Sequence, residues 1–338
     1  MAITLAEAKV GMADKVDQNV VDTFRRSSLL LDRLVFDNAI SPGTGGSTLT
    51  YGYIQLLTPS TANVRTINSE YTAGEAKRQE KTAKAVIMGG KFQIDRVLIG
   101  TSGAVDELAF QAEQKIKATS NYFHNLVING ETADSATLTN GVAKTFDGLN
   151  KILTGKETEI TSTVDVSTSA LADSNYNALL DEIDAFLSTL DGKPSMLLMN
   201  EKMLTKLRGC ARRAGYYSRT RDEFGRVVEA YNDIPMVDIG KYYNGTATVD
   251  VIPVDTNGKT DIYAVSIGLD AFHGISPTGS KLISSFMPDL NAPGAVKDGE
   301  VELVAGVVLK NTNKAGVLRG VKVKATTGKE NEQNTPSV

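Results

Sequence analysis

Chemistry in a protein starts from nucleophiles, general bases and metal ligands, and this sequence holds few of them. His124 and His273 are its two histidines and Cys210 its one cysteine, spread over 338 residues. That set has no metal-ligand spacing and permits no internal disulfide. His124 falls in a long apolar helical pattern, where a partly buried ring is expected, and a lone cysteine on a helix reads as a small core residue. Phosphate-loop look-alikes fail: Gly258-Lys259-Thr260 has Pro253 where the loop's first glycine belongs, and Gly89-Gly90-Lys91 sits between strand residues. Asp181, Glu182 and Asp184 crowd one helical turn, but neighbours on a helix diverge, so they read as a solvated face. With no Gly-x-Ser-x-Gly elbow and two histidines, no catalytic, cofactor or metal site is expected, and the chain reads as a non-enzyme.

One stretch does carry a signal. Residues 202–226 hold Lys202, Lys206, Arg208, Arg212, Arg213, Arg219, Arg221 and Arg226 against Asp222 and Glu223, with Tyr216, Tyr217 and Phe224 interleaved. Basic residues among aromatics can track a nucleic-acid backbone and stack on bases. Arg and Tyr are also enriched at protein interfaces, and acids inside the run repel phosphate while pairing with a neighbour's arginine. The reading therefore leans towards a protein contact, with a nucleic-acid-binding module as the alternative.

The composition bounds the rest. A hydrophobic content of 41% and a charged content of 22% suit a folded chain, and the length suits two domains or one with large extensions. A net charge of -4 argues against a surface that coats nucleic acid throughout. The start lacks a signal-peptide pattern, and VELVAGVVL is too short to span a membrane.

Apolar spacing predicts an N-terminal helix over 14–36, then a hinge at SPGTGGST, 41–48. LTYGYIQLL from Leu49 reads as a strand whose possible return is AVIMGGKFQIDRVLI from Ala85, broken at Gly89-Gly90. Between them, 58–84 lacks a core of its own and is expected to project and find order against another chain. A long helix is predicted from about 102 to 129, and a second carries Leu179, Leu180, Ile183, Phe186 and Leu190. SMLLM, an N-cap at Asn200, a helix over 201–213 and the strand IPMVDIG resemble an α/β unit. Further strands are expected at VDVIPV, DIYAVSI, VELVAGVVL and GVLRGVKV, with a polar tail at 325–338.

This order of elements resembles the major capsid protein of tailed bacteriophages, an α+β chain of the Hong Kong 97-type fold. The resemblance is carried by GGKFQIDRVL, FHNLVINGE, FDGL, SMLLMNEKMLTKLR, EFGRVVEAYNDIPMVDIG and DIYAVSIGLDAFHGI, and spans about residues 10–324. It implies an N-terminal arm at 1–48, an extended loop hairpin at 49–97, a peripheral domain at 98–165 and 300–324 with the long helix as its spine, and an axial domain at 166–299.

The resemblance further implies a subunit that assembles into hexamers and pentamers of an icosahedral head around double-stranded DNA. The partners would be copies of itself, a portal, separate scaffolding or decoration proteins, and DNA through weak inner-surface contacts. The chain would be assembled in the host bacterial cytoplasm and reside in the virion, with no membrane and no cofactor. A protein-nanocompartment shell of encapsulin type is the alternative on the same fold. Interface candidates are Arg25 and Arg26 in the arm, Glu70, Lys77, Arg78, Glu80 and Lys81 in the loop, and Arg212, Arg213, Arg219, Arg221, Asp222, Glu223 and Arg226 near the symmetry axis. Some capsids of this fold join a loop lysine to a neighbour's asparagine. Lys77, Lys81 and Lys84 lie in that region, but no partner matches a motif, so no cross-link is expected.

Overall fold

The structure, a computed structural model, describes residues 29–40, 49–58, 60–95, 107–132, 145–167, 173–215, 217–221, 227–277, 282–289 and 291–325. In chain order it contains α1 (Leu29–Arg33), β1 (Phe36–Asp37), β2 (Thr50–Thr58), β3 (Lys77–Lys84), β4 (Val86–Asp95), α2 (Glu107–Asn129), α3 (Leu149–Leu153), β5 (Glu159–Thr161) and α4 (Asp173–Ser188). There follow β6 (Met196–Met199), α5 (Glu201–Ala214), β7 (Tyr217–Arg221), β8 (Val227–Tyr231), β9 (Ile234–Asp238), β10 (Lys241–Tyr243), β11 (Thr248–Asp250), β12 (Lys259–Val265), β13 (Phe272–Ile275), β14 (Ile283–Phe286), β15 (Val296–Leu309) and β16 (Ala315–Lys322).

Two sheets organise these elements. In the first, β15 is the hub: it pairs antiparallel with β4, β13 and β14, and β1 adds to β13 in parallel. The sequence of β15 explains both roles. Its first half, VKDGEVEL, alternates between exposed and buried, whereas its second half, AGVVL, is buried throughout. The spine helix α2 lies over this sheet through Ala112, Ile116 and Phe123. Its first half buries a stripe; from Phe123 to Ile128 nearly every residue is buried or half-buried, because α3 and Phe146 close over it. At 1.5 Å per residue the 23 residues of α2 span roughly 34 Å. The turn after α2 depends on two glycines. Gly148 donates its N–H to the Gly130 carbonyl at 2.8 Å, and a Cβ on Gly148 would stand 2.6 Å from the Leu126 carbonyl oxygen. That close approach is the physical content of the VING and FDGL blocks.

The second sheet has the order β5-β16-β12-β6-β9-β8-β7. Its β6–α5–β9 segment is a parallel unit, with Leu197 to Met199 registered on Met236 to Asp238. α4 and α5 cover one face, burying Leu179, Ile183 and Phe186 from one helix and Met203, Leu207 and Cys210 from the other. Each fully buried Leu, Ile or Phe contributes about 1.5–3 kcal/mol relative to exposure.

Several sequence expectations change. The return partner of β2 is β3, not the strand at Ala85, and β4 pairs instead with β15 over ten residue pairs. The last eight residues of the stretch expected to lack a core of its own, 58–84, are therefore a strand, and Gly89-Gly90 does not interrupt β4. Within the expected first helix, the described part ends at Arg33 and Phe36–Asp37 is extended. Residues 14–28, the hinge at 41–48, the start of the spine helix before Glu107 and the tail from 326 lie outside the described residues. Strand pairing also crosses the domain limits drawn at 165 and 299. β5 and β16 share a sheet with β12, β6 and β9, while β13 and β14 share one with β4.

Candidate functional site

The hairpin β2–β3 is the most exposed ordered element. Its alternation sorts two faces. Tyr51, Tyr53 and Gln55 stand opposite Ala83, Lys81 and Gln79 and turn towards the body; Gly52 and Ile54, opposite Thr82 and Glu80, turn outwards. Ile54 is 63% exposed, and in the connecting loop Val64 and Ile67 are 100% and 91% exposed. Apolar side chains this bare, on a two-stranded ribbon with both outer edges unpaired among the described residues, need a partner to bury them.

The base of the hairpin is pinned. Tyr51 donates its hydroxyl to Asp37 Oδ2 at 3.0 Å, packs edge-on against the His273 ring at 5.9 Å and lies under the Lys310 ammonium at 5.4 Å. Gln55 donates its amide to the Lys310 carbonyl at 3.2 Å. Burial pushes the His273 imidazole below its ordinary pKa, and the Lys310 charge adds to that; the Ala271 carbonyl, Asp37 and Asp270 oppose it. Further out, burial lowers the Lys81 pKa and Lys156 repels the same ammonium, so the inner face gains little from the body beneath it.

Of the loop candidates, Glu70, Lys77, Arg78 and Glu80 are exposed and Lys81 is half-buried, and none forms an ion pair among the described residues. Arg212 and Arg213 are exposed in the last turn of α5, where positive charge suits the helix C-terminus. That helix starts at Asn200, whose side chain accepts from Met203 N at 2.8 Å, and ends at Gly215 in the left-handed conformation, φ 79°. Arg208, within the basic run, is bound by Glu229 of its own chain at 2.6 Å. Arg219 and Arg221 sit on β7, registered with Glu229 and Val227 of β8. Arg25, Arg26, Asp222, Glu223 and Arg226 lie outside the described residues. The acids read as a solvated face have internal partners as well: Tyr231 donates to Asp184 at 2.8 Å, and Ser162 donates to Glu182.

Three features were not read from the sequence. β7 and β8 form a hairpin, and β8 turns into β9 through Asn232-Asp233, both with positive φ; YNDI between two apolar runs is the signal for that turn. Arg319 joins the layers: it donates to Asn150 Oδ1 at 2.8 Å and Asp261 Oδ2 at 3.1 Å, and is bound by Glu159. It lines a cavity of about 320 Å³ between the C-terminus of α2 and the β12–β16 pair. With its guanidinium engaged by its own chain, that cavity is a junction between layers. No short-range sequence signal links residues 159, 261 and 319. The third is the alternation of KDGEVELV, which sets Asp298, Glu300 and Glu302 on one face of β15.

His124 is buried on α2; burial lowers its pKa to about 4, and its Nε2 has no hydrogen-bond partner among the described residues. Cys210 is buried and its thiol pKa is raised, which makes it inert. Among the described residues no group of three or more His, Cys, Asp or Glu is placed to hold a metal ion, and no helix is long and apolar enough to cross a membrane.

The sequence from residue 35 to 266 matches the SU10 major capsid protein family. The chain belongs to that family. Solved structures agree on the fold of this major capsid protein. The capsid of Myoviridae phage XM1 superposes with a TM-score of 0.55 at 14% identity, covering 87% of this chain and 91% of that one. Mycobacterium phage Bobi gives 0.55 at 13%, covering 88% and 91%. The holo-SrpI encapsulin complex from Synechococcus elongatus PCC 7942 gives 0.53 at 14%, covering 91% and 90%. At these identities the likeness shows the fold, which is the Hong Kong 97 type. No curated protein matches the sequence itself. The SU10-type capsid subunit is thus a virion structural protein with the α+β architecture that its order of elements resembles.

Proposed function

We propose that this subunit assembles into hexamers and pentamers that close into an icosahedral head enclosing double-stranded DNA. The observation that carries the reading is the hairpin β2–β3, which exposes Ile54 and the loop residues Val64 and Ile67, with its four β3 cations unpaired among the described residues. Laid over an adjacent subunit, those groups would be buried and paired. Residues 1–48 then serve as the arm and 49–97 as the extended loop. Peripheral and axial bodies follow the two sheets, so β13, β14 and β15 go with the spine helix while β5 and β16 go with α4 and α5. Arg212 and Arg213, exposed at the end of α5, and the strand β7, which carries Arg219 and Arg221, would then meet the next subunit around the ring. Rim pairs of this kind set register more than they add affinity. In this role the chain is a building element and not a catalyst, it is assembled in the host cytoplasm, and a portal supplies the DNA entry.

The test is negative-stain microscopy and sedimentation of the purified full chain over a range of concentrations. Closed shells or capsomere rings are the expected result; a monomer that persists at high concentration refutes the reading. The encapsulin alternative, which shares the fold as the SrpI chain shows, predicts shells filled with protein cargo and no genome in the native particle.

A further inference from the structure

β15 carries a row of carboxylates that its own subunit leaves partly unanswered. Asp298, Glu300 and Glu302 occupy alternate, exposed positions on the sheet face away from the core, roughly 6.6 Å apart along the strand. Lys91 binds Asp298 at 2.8 Å, and Gln93 donates to the same carboxylate at 2.8 Å. Lys91 stands directly opposite Glu300 but its ammonium is taken by Asp298, and neither Glu300 nor Glu302 forms an ion pair among the described residues. Beside them the face is apolar: Phe286, registered with Glu300, is 55% exposed, and Ile87 on β4 is 59% exposed. Like charges in a row repel one another, so this face is completed by a cationic partner.

The complementary surface belongs to the same sequence, but its distal end is out of reach within one chain. β3 holds Lys77, Arg78, Lys81 and Lys84 against Glu80. The hairpin is tied at its base to Lys310 through Gln55 and Tyr51. Glu302 lies eight positions before Lys310 in the sequence, about 26 Å back along the strand. β3 joins β4 through Ala85 alone, and β4 runs alongside β15 towards the carboxylates, so β3 leads away from them.

We propose that Arg78, at the distal end of one subunit's β3 and on the same outward face as Ile54, docks on Glu300 and Glu302 of a second copy, with the exposed Ile54 of that hairpin meeting Phe286. This rests on the reading of the hairpin as an arm laid over a neighbour, and adds the surface that receives it and the force that holds it. The pairs are exposed, so salt screens them and assembly weakens as ionic strength rises.

Charge reversal in the full-length protein tests the pairing. Arg78→Glu, and separately Glu300→Lys with Glu302→Lys, each raise the concentration threshold for assembly by light scattering about tenfold. Combining the three changes returns the threshold to within about threefold of the parent. Circular dichroism checks that each variant is folded. Should a reversal not fold, Glu300→Gln with Glu302→Gln removes the charge without replacing it and raises the threshold about threefold. Arg78→Cys with Glu300→Cys gives disulfide-linked oligomers in assembled particles, since Cys210 is buried. If the β3 reversal blocks assembly while both acidic-row variants leave the threshold unchanged, the docking site is refuted and the hairpin reading survives. If the β3 reversal is also silent, both fall.

Discussion

Replacing Asn200 separates helix capping from long-range hydrogen bonding at one buried position. The Asn200 side chain is 2% exposed and does three things. Its Oδ1 accepts from Met203 N at 2.8 Å, and its Nδ2 donates to the Ile252 carbonyl at 2.9 Å and to Thr260 Oγ1 at 2.7 Å. It thereby ties the start of α5 to the segment leading into β12. Asn200→Ala removes the cap, which costs about 1 kcal/mol. It also strands the Ile252 carbonyl in the core, which costs about 2 kcal/mol. Thr260 loses less, because its hydroxyl still donates to the Pro253 carbonyl at 3.0 Å. The expected loss is about 3 kcal/mol. Asn200→Ser keeps a capping oxygen and loses only the amide donors, so it costs about 2 kcal/mol. Urea unfolding of the dilute subunit, followed by far-UV circular dichroism, measures both. An alanine variant within about 0.5 kcal/mol of the parent, or a serine variant no better than alanine, would falsify this account.

Other consequences are equally direct. A Cβ on Gly89, where φ is 153°, would stand 1.9 Å from the Val301 carbonyl oxygen, whereas on Gly90 it meets the flexible tip of Lys115 at 3.3 Å. Gly89→Ala should abolish soluble subunit and Gly90→Ala should not, as read by expression and thermal melting. His124 has a folded pKa of about 4 against an ordinary 6.5, so between those pH values the unfolded chain binds the proton and the folded chain does not. Stability therefore falls as pH drops from 6.5 to 4, by about 3 kcal/mol in all from this group, and His124→Phe should flatten that part of the unfolding profile. Below that range Asp165, held down to about 2 chiefly by its hydrogen bond from Lys322, takes over: its contribution is full above 3.8 and is lost as pH falls towards 2. Tyr51→Phe removes the bond to Asp37, about 1 kcal/mol at the hairpin base, so limited proteolysis of the loop at 60–76 should accelerate about fivefold while global melting changes little.

Local patterns were legible in the sequence wherever one short segment contained its own explanation. The α5 cap at Asn200, the β6–α5–β9 unit, the spine helix and the strands at VELVAGVVL and GVLRGVKV depend on spacing within a few residues, and the structure has them there. Likewise the projecting character of 58–84 followed from its lack of apolar periodicity. Pairing was not legible. The return of β2 is expected at Ala85 and lies at Lys77–Lys84 instead, because KRQEKTAK is a polar, largely exposed strand without the apolar alternation that marks a strand. The basic run at 202–226 likewise gave charge without geometry: Arg208 is used up by Glu229 inside the chain, while Arg212 and Arg213 stay exposed.

Sequence by itself determined the α+β class, most of the helices and strands, and the order of elements that marks a major capsid protein, because propensity, capping and hydrophobic period act over a few residues. Only tertiary structure decided that β15 is shared by β4, β13 and β14, that Arg319 gathers Glu159, Asp261 and Asn150, and that the polar strand β3 pairs with β2 and not with β15. Those contacts join residues tens to more than a hundred positions apart, and no local pattern encodes which distant strand will lie alongside.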